Sequence, residues 1–119
     1  MSADIFTVDL HNFEQLVVDA SRQRPILLDL WADWCSPCLV IAPILEKLGE
    51  EFGAQLGIAK LEVDEGDNMK IAGHYKVRGF PTLILFVDGA EVGRFSGAKP
   101  LQFIRGFLEQ HSDLRSEHH

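Results

Sequence analysis

An α/β fold, with a mixed sheet covered by helices on both faces, is what this sequence predicts. Short apolar runs alternate with segments of helical spacing, and the last two strand candidates are joined by a tight hairpin rather than by a helix. The chain has 119 residues, which suits one domain and leaves no room for two.

The elements follow in order. Ile5 to Val8 is a short strand candidate. Asn12 is placed to cap a helix, with Gln15 three residues on as the second half of a capping box, and Phe13, Leu16, Val17 and Ala20 then keep helical spacing. After Pro25, Ile26-Leu27-Leu28-Asp29-Leu30-Trp31 reads as a strand buried on both faces. A helix is expected from Cys35 to about Phe52, with Ile41, Leu45, Leu48 and Phe52 on its apolar stripe. Pro43 lies inside it and should bend it, and Gly53 suits its C-terminal stop.

Leu56 to Val63 is the next strand, and a short helix is predicted over Asp67 to Tyr75. Thr82 to Val87 pairs back on Glu91 to Ser96 through an Asp88-Gly89 turn. Pro100 sits at the first turn of a last helix whose core face is Leu101, Ile104 and Leu108, with Phe103 and Phe107 beside them. The order is therefore β-α-β-α-β-α-β-β-α.

Composition excludes several classes. Apolar residues make up 46% and charged residues 24%, the balance of a protein that folds around its own core. At this size roughly two-thirds of the unfolded surface is buried, enough to fold without disulfide staples. The net charge of −7, with no basic run, argues against a nucleic-acid partner. The longest apolar stretch, Leu83 to Val87, is too short to span a bilayer, and Met1-Ser2-Ala3-Asp4-Ile5-Phe6 has none of the marks of a secretory signal. No membrane association and a cytoplasmic location are the expectations. Ser116-Glu117-His118-His119 reads as the remnant of an expression tag, so residues 1–112 form the expected domain and 113–119 a tail.

The chemistry concentrates in Trp34-Cys35-Ser36-Pro37-Cys38, where a buried strand becomes a helix. Residues three apart in a first helical turn have Cα atoms about 5 Å apart. That lies within the roughly 4.4–6.8 Å a disulfide spans. Unpaired N–H groups and the helix dipole favour a thiolate there, so Cys35 at the helix start is the expected attacker and Cys38, one turn in, the resolver. Half of a zinc site is the competing reading, but zinc takes three or four ligands, and His11, His74 and His111 show no ligand spacing to the pair. No metal is expected. Two inert core cysteines would also satisfy the spacing, and the strand-to-helix context favours redox chemistry over both.

Asp29 interrupts an apolar strand six residues before Cys35. A buried carboxylate is expensive unless compensated or protonated, so it is either a structural ion partner or a proton relay for Cys38. Lys60, equally out of place in Ile58-Ala59-Lys60-Leu61, is a candidate neighbour of Asp29, or a side chain whose head reaches to water.

Taken together, Leu28 to Cys38, Ala42-Pro43, Ala59-Lys60-Leu61, Arg78-Gly79-Phe80-Pro81-Thr82 and Gly97-Ala98 closely resemble the thioredoxin family, over about Phe6 to His111. The resemblance implies a five-stranded central sheet flanked by four helices. It implies Cys35 as nucleophile, Cys38 as resolving thiol, Asp29 as the buried carboxylate beneath them with Lys60 beside it, and Pro81 as a cis-proline facing the disulfide. Trp34, Phe80, Pro81, Gly97 and Ala98 would form the flat rim on which target proteins dock.

The activity implied is disulfide reduction in other proteins by a monomer with no bound cofactor. A thioredoxin reductase-like flavoprotein using NADPH would recycle the oxidised form. The chain departs from the commonest pattern at Ser36, where many members carry glycine, and at Leu39, where many carry lysine. A thiol oxidant or isomerase is the first alternative, disfavoured by the Ser36-Pro37 dipeptide and the missing signal. A holdase or binding module is the second, disfavoured by retention of both cysteines with Asp29.

Overall fold

The computed structural model describes residues 3–116. Five strands form one sheet in the order β1-β3-β2-β4-β5: β1 (Ile5–Thr7), β2 (Ile26–Trp31), β3 (Gly57–Glu62), β4 (Thr82–Val87) and β5 (Ala90–Ser96). β3 runs parallel to both β1 and β2, while β4 is antiparallel to β2 and β5. β2 lies at the centre, which explains why its residues from Ile26 to Leu30 are all buried.

Alternation along the strands divides the core in two. Ile26, Leu28, Leu30, Ala59, Leu61, Ile84 and Phe86 meet Phe13 and Val17 of the first helical segment, together with Ile71 and Ala72 of α2 (Met69–His74). Leu27, Ile58, Leu83 and Leu85 meet Ile41, Leu45, Leu48 and Phe52 of α1 (Ser36–Phe52). Ile104, Phe107 and Leu108 of α3 (Leu101–His111) complete that second layer. One face thus carries the first helical segment and α2, the other α1 and α3, as the alternating sequence requires.

Local signals differ from expectation in three places. The capping box sits three residues early: Asp9 Oδ1 accepts from the Asn12 N–H at 3.0 Å, and Asn12 Oδ1 accepts from the Asp9 N–H at 2.8 Å. Asn12 therefore plays the second part of the box rather than the first, and Gln15 is exposed. The helix that follows is wound as a π-helix over Glu14–Asp19 and tightens to a 3₁₀ turn at Ala20–Arg22.

Phe103 is not a core residue. It is exposed, its ring edge-on to Phe95 at 5.5 Å with Lys99 Nζ over it at 5.3 Å. Being next to Ile104, it is turned about 100° off the buried stripe. Pro100 stands one place before α3, where its carbonyl accepts from the N–H groups of Phe103 and Ile104.

Other signals read directly. α1 continues through Pro43, which is exposed along with Leu39, the residue whose carbonyl loses its intrahelical donor. Asp88 and Gly89, both with positive φ (52° and 84°), make the two-residue turn between β4 and β5. Beyond α3 the chain returns to the body, and Leu114 is buried in the second core. Of the tag-like run, Glu117, His118 and His119 lie outside the described residues. No helix among the described residues is long and apolar enough to cross a membrane.

Candidate active site

The site forms where the C-terminal end of β2 meets the start of α1. Cys35 is the N-cap of α1, in extended conformation, and its Sγ accepts from the Cys38 N–H at 3.3 Å. With Pro37 in the first turn, no helical donor is lost, because the N–H it lacks would have had no intrahelical partner. Cys35 and Cys38 form a disulfide across a Cα–Cα distance of 5.3 Å. They are 5% and 2% exposed respectively. That N–H and the positive end of the helix dipole both favour negative charge at the Cys35 sulfur.

A second segment faces the disulfide. The Phe80–Pro81 peptide is cis, and the Phe80 carbonyl oxygen lies 3.4 Å from Cys35 Sγ. This stretch is pinned from behind. The Gly97 N–H donates to the Pro81 carbonyl at 2.9 Å, and the Thr82 hydroxyl donates to the Gly79 carbonyl at 2.6 Å. Gly97 has φ +91°, a conformation that a side chain opposes, although the space beside its Cα is open. Ala98 follows it on the exposed surface.

Trp34 stands beside this segment, 64% exposed, with its ring edge-on to Phe80 at 6.1 Å. Its indole N–H donates to Asp64 Oδ2 at 2.5 Å. Negative charge surrounds this side of the rim. The carboxyl of Glu62 is held above its ordinary value by desolvation and by Glu65, Asp33 and Asp64.

Asp29 is fully buried in β2, and neither carboxylate oxygen has a hydrogen-bond partner among the described residues. Alternation puts it on the same face as Leu27, the face against which Ile41, Leu45, Leu48 and Phe52 of α1 pack. Burial pushes its carboxyl up to about 7, against a smaller opposing effect of Lys60. Lys60 is the residue directly across from Asp29 in β3, but no ion pair joins them. The ammonium instead lies over the Trp31 ring, 4.8 Å from its centroid.

The structure thus gathers Cys35, Cys38, Trp34, Phe80 and Pro81 around one disulfide, with Gly97 bonded to Pro81 behind them. Among the described residues no three His, Cys, Asp or Glu side chains converge as a metal cluster.

A family model described as Thioredoxin matches residues 4–110. The chain belongs to the thioredoxin family. A thioredoxin of Mycolicibacterium smegmatis is 45% identical over 101 residues, covering 83% of this chain and 88% of that protein. Thioredoxin C-2 of Corynebacterium nephridii is 37% identical over 110 residues, covering 92% and 98%. In crystal structure, a Malassezia sympodialis thioredoxin superposes with a TM-score of 0.79 at 27% identity, covering 92% of this chain and 91% of that one. The protein is accordingly a thioredoxin-type protein-disulfide reductase with a redox-active CxxC disulfide, and disulfide-containing proteins are its substrates.

Two contacts at the site carried no sequence signal. Asp64 reaches Trp34 across thirty positions, and Trp31 meets Lys60 from the neighbouring strand. Both contacts depend on strand register, which a single sequence does not print.

Proposed function

We propose that Cys35 is the attacking thiol, Cys38 the resolving thiol, and Asp29 the proton acceptor that prepares Cys38. The observation that carries the reading is the asymmetry of the pair: Cys35 caps α1 and its sulfur receives the Cys38 N–H. The Cys35 thiolate attacks one sulfur of a substrate disulfide. That S–S bond breaks, a Cys35–substrate disulfide forms, and the departing thiolate takes a proton. Cys38 then gives its proton to the Asp29 carboxylate and attacks Cys35 Sγ. The Cys35–substrate bond breaks and the second substrate sulfur leaves as a thiolate that takes a proton, so two electrons pass to the substrate's two thiols and the site is left oxidised as the Cys35–Cys38 disulfide.

The Phe80 carbonyl, cis-Pro81 and the flat rim of Trp34, Gly97 and Ala98 offer an extended substrate segment a backbone acceptor and an apolar seat. Lys60 modulates Asp29 through its charge. A flavoprotein reductase drawing on NADPH restores the dithiol, and the protein works in the cytoplasm as a monomer. Residues 1–112 act as a single domain, with 113–119 as a tail that Leu114 anchors to the second core.

An insulin-reduction assay coupled to NADPH and a thioredoxin reductase tests the function. Turnover by the wild type and none by Cys35→Ser is the expected result. Reduction that persists in the Cys35→Ser, Cys38→Ser double variant would overturn it. Ready reduction of the protein by glutathione would favour a thiol oxidant instead.

A further inference from the structure

Asp29 and Lys60 stand opposite each other in the sheet, yet no hydrogen bond or ion pair joins them. They are register partners in the parallel strands β2 and β3, close enough along the sheet for opposite charges to interact. Asp29 is nonetheless without any hydrogen-bond partner among the described residues, while the Lys60 ammonium stands over the ring of Trp31, two residues along β2.

We propose that Trp31 is a positioning residue: its ring holds the Lys60 ammonium away from Asp29, so that the carboxyl keeps no partner and remains available to exchange a proton.

The energetics agree with the geometry. A cation over an indole face is held by about 0.5–2 kcal/mol, more when desolvated. Lys60 and Trp31 are both partly buried, so the contact lies between these limits. Joining Asp29 would instead require the ammonium to enter a fully buried position and lose its water. Lys60 lies in a cleft that is also lined by Trp31, Asn68 and the acidic residues Asp9, Glu62 and Glu65, so the cation has acidic residues other than Asp29 along the same cleft. On the other side of Asp29, β4 presents Leu83, and the buried residues of α1 that pack on this face, Ile41, Leu45, Leu48 and Phe52, are all apolar. Lys60 is therefore the charged neighbour whose placement sets the proton affinity of Asp29, which burial has pushed up to about 7.

The catalytic consequence rests on Asp29 accepting the Cys38 proton, but the placement can be tested separately. Carboxyl-carbon NMR titration of the oxidised full chain reads Asp29 directly. Lys60→Met should raise its midpoint by less than about 1 pH unit, since the cation acts at a distance. A rise of about 1–3, the value for a neighbouring opposite charge, would mean a closed ion pair and overturn the proposal. Trp31→Leu should lower the midpoint by about 1 pH unit or more as Lys60 turns onto Asp29. Trp31→Phe, which keeps a π face, should stay close to wild type.

In a Lys60→Met background Trp31→Leu should no longer lower the midpoint. An equal fall there would show that the ring merely excludes water, and no fall in the single variant would show that it holds nothing; either overturns the proposal. Should Trp31→Leu fail to fold, Lys60→Met and Trp31→Phe still decide. Insulin reduction followed against pH by the same proteins should shift with the Asp29 midpoint. Unchanged turnover of Asp29→Asn at every pH would overturn the relay role of Asp29 and leave the placement of Lys60 standing on the titration.

Discussion

The indole N–H of Trp34 donates to the Asp64 carboxylate at 2.5 Å, tying the most exposed aromatic of the rim to the turn that follows β3. One χ rotation would otherwise swing this ring away from Phe80, its edge-on neighbour. The bond orders a surface that must be ready before a substrate arrives. Asp64→Ala should therefore weaken docking more than chemistry. The bond is exposed and worth about 0.5–1 kcal/mol, so kcat/KM for a protein disulfide should fall about threefold with kcat little changed. Steady-state insulin reduction checks this, and an equal fall in kcat would place Asp64 in the chemical step instead.

The two cysteines should fail in different ways. Cys35→Ser should form no covalent complex with a disulfide substrate, whereas Cys38→Ser should attack once and stall as a mixed disulfide. The cause is that Cys35 stands at the helix N-cap, with its sulfur accepting the Cys38 N–H, and Cys38 lies one turn inside. Intact-mass spectrometry after mixing with substrate distinguishes them, and a stable adduct on Cys35→Ser would exchange the two roles.

Asp29 should make stability fall as pH rises from about 4 to about 7. Its folded-state carboxyl is raised from 3.8 to about 7, so across that window the unfolded chain ionises while the folded one stays protonated. The penalty is absent below the lower value and complete above the upper one. Asp29→Asn should thus stabilise the protein at pH 8 by about 1–3 kcal/mol and show little gain near pH 4. Urea melts of both proteins at the two pH values measure the difference. A variant less stable at pH 8 would reverse the sign and reveal a stabilising partner for the charge.

Two glycines should respond oppositely to alanine, although neither would meet an obstacle. Gly97 has φ +91°, so Gly97→Ala should cost about 1–2 kcal/mol and loosen the bond that its N–H makes to the Pro81 carbonyl. Gly106 lies within α3 on an exposed position with open space around it, so Gly106→Ala should gain about 0.5–1 kcal/mol. Thermal melts report both, and a neutral Gly97→Ala would remove the backbone argument for that position.

Much of the architecture was legible in the residues because it depends on local period. Five strands, four helical segments, the Asp88-Gly89 turn and the buried stripe of α1 all follow from spacings within a dozen residues. The errors arose where two local solutions are nearly equal. Asp9 and Asn12 make as good a box as Asn12 and Gln15, and Phe103 differs from Ile104 by a single step around the helix. The spacing of Cys35 and Cys38 was likewise sufficient to place both in one helical turn, and motif order over most of the chain pointed to the family.

By itself, then, the sequence determined the class, the order of elements and the reactive pair, because each is written in residues close together along the chain. Tertiary structure decided what faces that pair. The Phe80 carbonyl comes to Cys35 from 45 residues away, Asp64 to Trp34 from thirty, and Lys60 goes to Trp31 although it is paired with Asp29. Each choice follows from the register of strands about 4.8 Å apart, where a shift of one residue would turn every side chain to the opposite face. The state of Asp29 belongs to the same category: its charge is set by how much water and which cation the folded sheet leaves beside it, and neither is a property of the strand that carries it.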